Sequence, residues 1–343
     1  MSMIVNKVHQ AVSHLKNRMF PGALILMYHR IAEANSDPWS LCVTPKHFAE
    51  HLEILRDYGS LLHLKELTRK LDDRKSIHRS IVVTFDDGYA DNFYYAKPLL
   101  EKYDVPATVF VTTGSIDQKH EFWWDELDRL LLQPGTLPES LQLDTGDRTY
   151  QWELGEAVNY SQADSQRDRH WRMEAGKDPT PRHALYRSLY HLFQFLPAHE
   201  QRQLLDEVRS WANIEPVSRS THRSLSSEEL VALGGELVEI GAHTVSHPFL
   251  AKLPIASQLN EIQQSKNHLE EILGYSVTSF SYPNGSYVSE TIPIVQEAGF
   301  ECACCSIADR VQPNGNHFLL PRVVVEDWDS EAFSRWLSKC FSV

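Results

Sequence analysis

The chain has 343 residues, 42% hydrophobic and 23% charged, proportions that suit a soluble globular protein: one large α/β domain carrying an insertion, or two domains. Its formal net charge of −13 leaves no basic excess to neutralise phosphates, which excludes a general nucleic-acid binder. No run reaches the roughly 18–20 consecutive apolar residues of a membrane span, and polar residues interrupt every apolar run that could serve as a secretion signal.

Residues 1–20 place Ile4, Val8, Val12, Leu15 and Met19 at three- or four-residue intervals, with Lys7, Lys16 and Arg18 between them. This predicts an N-terminal amphipathic helix that packs on the domain, with peripheral contact to an anionic membrane surface as the alternative. Residues 23–28 (ALILMY) read as a buried strand, and Thr44-Pro45 as the start of a helix through Phe48, Leu52 and Leu55. Residues 81–85 (IVVTF) and 107–112 (ATVFVT) are further buried strands, separated by a helix over 91–102 that Pro98 kinks or shortens. The alternation then stops. Residues 115–223 are aromatic at Phe122, Trp123 and Trp124, polar from 144 to 181, and helical again from 183 to 211. A hundred residues is too many for a connector, so 115–223 is read as an inserted cap or subdomain dividing the main domain into 21–114 and 224–343. Its two tryptophans and the leucines after them are expected to pack the insertion onto the main domain rather than to wall a ligand site. Residues 238–242 (VEIGA) resume the strands. A helix over 259–273 turns Leu259, Ile262, Leu269 and Ile272 inward and stops at Gly274. Residues 278–282, 301–305 and 322–325 complete the strand set, and the whole pattern is that of a parallel α/β sheet or barrel. Five cysteines, three of them within 302–305, fit buried strand positions better than a disulfide framework or a zinc site, and point to a cytoplasmic protein.

Two segments carry chemistry. Thr84-Phe85-Asp86-Asp87-Gly88 closes an apolar strand with adjacent carboxylates that point in different directions. One can ligate a metal while the other reaches a bound water, and Gly88 lets the chain turn away. His243 and His247, four apart after the strand at 238–242, come to one side of a turn, as a tetrahedral cation requires of two imidazoles. Together the segments supply His, His and Asp, a three-ligand set with a position left for water.

The TFDDG and HTVSH segments resemble the first two motifs of the NodB-homology polysaccharide deacetylases, carbohydrate esterase family 4. Residues 280–285 (FSYPNG) are similar to the third motif, as in a variant branch of YPxG type. The resemblance runs from Leu24 to about Leu337 apart from the insertion. It implies a distorted (β/α) barrel and a metal-dependent hydrolase that removes the N-acetyl group from an amino sugar in a saccharide or glycan precursor. It also implies one divalent ion, zinc first, on Asp87, His243 and His247, with Asp86 as general base. The Asn284 N–H would be the oxyanion donor, with Tyr282 beside the substrate. Two departures stand out. Ser281 occupies the place where many members carry an arginine that braces the catalytic aspartate. The Leu-x-His motif that supplies the acid is missing, with Leu320-Pro321-Arg322 roughly in its place. His29, His222 and His317 are the candidate acids, His29 first because it follows a strand. Two other readings are hydrolysis of a small non-sugar C–N bond on the same scaffold and a degenerate carbohydrate-binding module. The full ligand set with Asp86 favours an active enzyme. The insertion is expected to shape substrate choice, since its ends follow strands on the side where loops build the site. Nothing in the sequence points to a protein partner.

Overall fold

Strands too apolar to leave a face in water need layers on both sides, and that is how this chain uses them. In the computed structural model, which describes residues 22–341 except residue 147, strands Ala23–Tyr28 and Ser80–Phe85 are buried along their whole length. The expected helix over residues 1–20 lies outside the described residues. The strand order is Cys302–Cys304, Ser279–Ser281, Val238–Ala242, Ala107–Val111, Ser80–Phe85, Ala23–Tyr28, Val323–Val324, and Ser60–Leu61 adds to the start of Ser80–Phe85. Every pairing among these is parallel. The strand ends therefore share one rim, where His29, Asp86, His243 and Tyr282 each follow directly on their strand.

The sheet is curled, and residues 320–324 bridge its two edges. Leu320 pairs with Cys304 on one edge, while Val323 and Val324 pair with Leu26 and Met27 on the other. The architecture is thus an α/β, distorted barrel.

The helices follow their local chemistry. Helix Pro45–Tyr58 is capped by the Thr44 hydroxyl, which accepts from the His47 N–H, and Pro45 sits where no N–H is needed. The helix expected over 91–102 is divided into a π-helical turn, Asn92–Ala96, and a helix, Lys97–Tyr103, with Pro98 in the latter's first turn. Helix Ile255–Leu273 ends at Gly274 in the left-handed conformation. Leu259 does not face inward: it is 46% exposed, and Gln258 is buried instead. The inward stripe runs through Gln258, Ile262, Ser265, Lys266 and Leu269, and Leu259 falls just outside its edge, about 100° round the helix from Gln258.

Residues 115–223 build a core of their own. Helices Trp123–Leu131, Pro181–Phe193 and Ala198–Ala212 pack Leu127, Leu131, Leu189 and Leu205 together beside the hairpin Ser140–Asp144/Thr149–Glu153. Fully buried Arg182 ties this unit down by donating to the carbonyls of Ala157, Val158, Gly135, Leu131 and Gln133. Tyr89, from the loop after Asp86 and Asp87, is buried in the same core.

Candidate active site

The turn after Ser80–Phe85 separates the two aspartates. Asp87 has φ 74° and Gly88 φ 80°, consecutive left-handed residues that swing the carboxylates apart. A Cβ on Gly88 would stand 2.9 Å from the Val111 side chain, so conformation and space both require glycine there.

The environments of the two carboxylates differ. Asp86 receives a two-pronged ion pair from the fully buried Arg322: Nη1 to Oδ1 at 2.7 Å and Nη2 to Oδ2 at 2.6 Å. Arg322 also donates to the hydroxyls of Ser281 at 2.8 Å and Thr84 at 3.2 Å, and to the Cys305 carbonyl at 3.3 Å. Burial by itself would raise the Asp86 carboxyl, but Arg322 and then His243 hold it well below the usual carboxylate range. Asp87 has no such partner. Its Oδ1 is buried with no hydrogen bond among the described residues, and burial, Asp86 and Asp125 together push its carboxyl well up.

The histidines complete the cluster. His243 Nδ1 donates to the Ser281 carbonyl at 2.8 Å, which fixes the tautomer and leaves Nε2 facing Asp87 Oδ1 at 3.6 Å. His247 Nε2 lies 3.3 Å from the same oxygen. Burial lowers the pKa of both imidazoles, so each presents a neutral nitrogen. The turn that carries them holds Thr244 (φ 65°) and His247 (φ 57°) in the left-handed region. Glu261 supports this turn from helix Ile255–Leu273, accepting from the N–H groups of Val245 (2.8 Å) and Ser246 (2.9 Å) and from the Ser246 hydroxyl (2.7 Å). One ligand atom from each of Asp87, His243 and His247 lies within 4.8 Å of the others. An unpartnered buried carboxylate oxygen between two neutral imidazole nitrogens suits a divalent cation, because a buried charge without a counter-charge is costly.

A cavity of about 300 Å³ opens onto these residues. Its walls include Trp39 and Asn284 from the barrel loops and Trp124, Glu174 and Tyr190 from the insertion. The expectation that both tryptophans only pack is corrected for one of them. Trp123 stacks among Tyr190 and Phe193, but Trp124 lines the cavity, with its ring 5.0 Å from that of His247. Its indole N–H donates to the Tyr89 hydroxyl, which donates in turn to Asp125. Burial holds the Asp125 carboxyl up at about 7.

Asn284 reaches the cavity with φ 53°. Tyr282 does not fit a substrate-side role: it is fully buried and its hydroxyl donates to the Phe318 carbonyl. Among the candidate acids, His29 lines the cavity, whereas His222 and His317 do not. His222 is engaged with the Thr221 hydroxyl, and His317 lies 3.6 Å from Asp72. Burial lowers His29 to about 4, assisted by Arg322 and His243 and opposed by Asp86, so its ring is uncharged at neutral pH. Arg322 is the residue that sequence reasoning missed. Ser281 holds the position expected for an arginine, and the guanidinium arrives instead from the segment that bridges the sheet edges. Its one sequence signal is an arginine directly before the apolar run 323–325 (VVV).

The profile of the polysaccharide deacetylase family matches residues 73–137 and 220–303, the stretches that hold both aspartates and both histidines. A Bacillus subtilis protein assigned by name to the polysaccharide deacetylases, YxkH, is 38% identical over 122 residues, 35% of this chain and 42% of that protein. The poly-β-1,6-N-acetyl-D-glucosamine N-deacetylase of Staphylococcus aureus is 29% identical over 111 residues, 29% of this chain and 38% of that protein. Each match thus spans well under half of the relative's length. Among solved structures, the deacetylase PplD of Streptococcus pyogenes in complex with acetate superposes with a TM-score of 0.57 at 17% identity, covering 93% of this chain and 98% of its own. That likeness is one of fold.

Proposed function

Because the chain belongs to the polysaccharide deacetylase family, we propose that it hydrolyses the N-acetyl group of an amino sugar within a saccharide, with a divalent cation held by Asp87, His243 and His247. The observation that carries this reading is the contrast between neighbours: Asp86 locked as a carboxylate by Arg322, and Asp87 left unpartnered between two neutral imidazoles. Two nitrogen ligands and one oxygen favour zinc. When bound, such a cation would lower the pKa of a water and polarise the acetamide carbonyl.

The protein's own groups then divide the work. Asp86, charged and aimed by Arg322, accepts the proton of the attacking water. The Asn284 N–H, at the cavity wall, is the proposed donor to the oxygen that gains charge as the tetrahedral centre forms. The departing amine needs a proton, and a neutral His29 lacks the imidazolium proton of a general acid. We assign that return proton to Asp86, which has just collected one and lies in the same cavity. The relatives named as acting on N-acetylglucosamine polymer support a saccharide substrate, and the aromatic walls of the cavity suit a sugar ring.

The test combines metal analysis with turnover. Purified protein should hold about one divalent ion per chain, and His243→Ala with His247→Ala should remove it. Asp86→Asn should keep the ion while losing acetate release from polymeric, lipid-linked or nucleotide-linked N-acetylhexosamines. Full metal occupancy in the double histidine variant, or an active Asp86→Asn, would falsify the assignment.

A further inference from the structure

Among the described residues, the hydroxyls of the largely buried tyrosines have partners, with one exception. Tyr28 meets His51, Tyr89 meets Asp125, Tyr160 meets Asp168, Tyr186 meets the Trp124 carbonyl and Tyr282 the Phe318 carbonyl. Tyr190 is 7% exposed, yet its hydroxyl has no hydrogen-bond partner among the described residues. Its oxygen is not one of the fully buried side-chain atoms left without a partner, so it opens onto the cavity and is free to donate to a group that enters. Tyr190 lines the cavity that holds Asp87, and it stands on helix Pro181–Phe193 of the insertion, outside the stretches matched by the family profile.

The ring is fixed before anything enters. Trp39 lies 4.3 Å from it at 40°, and Trp123 lies 4.7 Å from it at 37°. Trp39 is itself held by its indole N–H, which donates to the Tyr186 hydroxyl one helical turn earlier. The loop that carries Trp39 is joined to the insertion a second time, where the Met173 N–H donates to the Pro38 carbonyl. Clamped between two indoles from different parts of the chain, Tyr190 has little freedom to seek another partner.

We propose that Tyr190 is a specificity-determining residue: its O–H donates to an oxygen of the sugar seated in the cavity, so the insertion selects for a saccharide over other acetamides. This rests on the saccharide reading of the site. Burial first, and the Asp87 charge second, raise the phenol's pKa, so it remains a donor across the neutral range. A cavity of about 300 Å³ bounded by Trp39, Trp124 and Tyr190 suits a single pyranose ring.

The test separates binding from turnover. Binding of N-acetylglucosamine and its β-1,4- and β-1,6-linked trimers is measured by calorimetry on metal-loaded Asp86→Asn protein, with and without Tyr190→Phe. Removing one hydroxyl while keeping the ring should raise Kd about tenfold for the probes that bind, as loss of one useful hydrogen bond implies. Tyr94→Phe, at the surface away from the cavity, should leave Kd as it was. Equal affinity with and without the Tyr190 hydroxyl overturns the inference while leaving deacetylation intact. So does a loss in the kcat of otherwise wild-type Tyr190→Phe at unchanged Kd, which would move the phenol to the reacting carbonyl. Failure of all three probes to bind the parent protein overturns the saccharide reading and this inference together.

Discussion

Asp86 and Asp87 share one peptide bond and almost identical burial, and what distinguishes them is a single guanidinium, 236 positions along the chain from Asp86. Arg322→Met should leave a buried carboxylate uncompensated, destabilising the fold by about 3–5 kcal/mol. It should also raise the Asp86 pKa, so that turnover at neutral pH falls by roughly a hundredfold or more. Arg322→Lys keeps the charge but not the planar fork, and should lose an intermediate amount of kcat while retaining metal. Unchanged kcat in both variants would show that Asp86 needs no brace. His29→Gln gives the complementary reading. If Asp86 returns its own proton, this variant should retain more than about a tenth of the wild-type rate, a loss small beside the 10²–10⁴-fold of a missing acid. A fall of the larger size at full metal content would restore His29 as the acid.

Among the elements, the turn after Val238–Ala242 depends on a neighbour that does not itself reach the cluster. Glu261 accepts three hydrogen bonds from Val245 and Ser246, and so sets the path of the chain between the two histidines. Glu261→Gln should weaken metal affinity by roughly ten- to a hundredfold, as loss of supporting contacts does at other metal sites, with the fold retained. Calorimetric titration of the apoprotein with zinc checks this, and an unchanged Kd would mean that the turn holds itself. The sequence showed the strand–turn–ligand order plainly, because TFDDG and HTVSH each sit where an apolar run stops. It did not show Glu261, whose position on a helix looks like any solvated carboxylate until the helix is docked. Leu259 failed for the same reason: apolar spacing gives a stripe, but only packing decides which of two adjacent residues faces in. Arg322 was illegible because its partner is far away along the chain, and a long-range ion pair leaves no periodic signal. The two histidines, by contrast, were readable from their spacing after a strand, whereas Asn284 entered only through the resemblance of its segment to the family's third motif.

At the scale of the whole molecule, barrel and insertion each hold a histidine that must stay uncharged. His51 is fully buried against Phe333, and His183 sits in the insertion beside Trp171; burial lowers each to about 4, below the ordinary 6.5. Between those values the unfolded chain binds protons that the folded chain refuses. The stability from these sites is therefore complete above about pH 6.5 and is lost progressively as the pH falls towards 4. Thermal midpoints should decline across that window, and NMR should show both imidazoles still neutral at pH 5; titration of either near 6.5 would contradict this. The bridge formed by residues 320–324 has a consequence in time as well as in space. Synthesis delivers Asp86 well before Arg322, so the carboxylate gains its buried guanidinium only when residues 320–324 join the sheet. Without that guanidinium, burial would push its carboxyl up. Closure of the barrel and the arming of the proposed base are thus a single event: Asp86 acquires its guanidinium only when the two edges of the sheet have been joined.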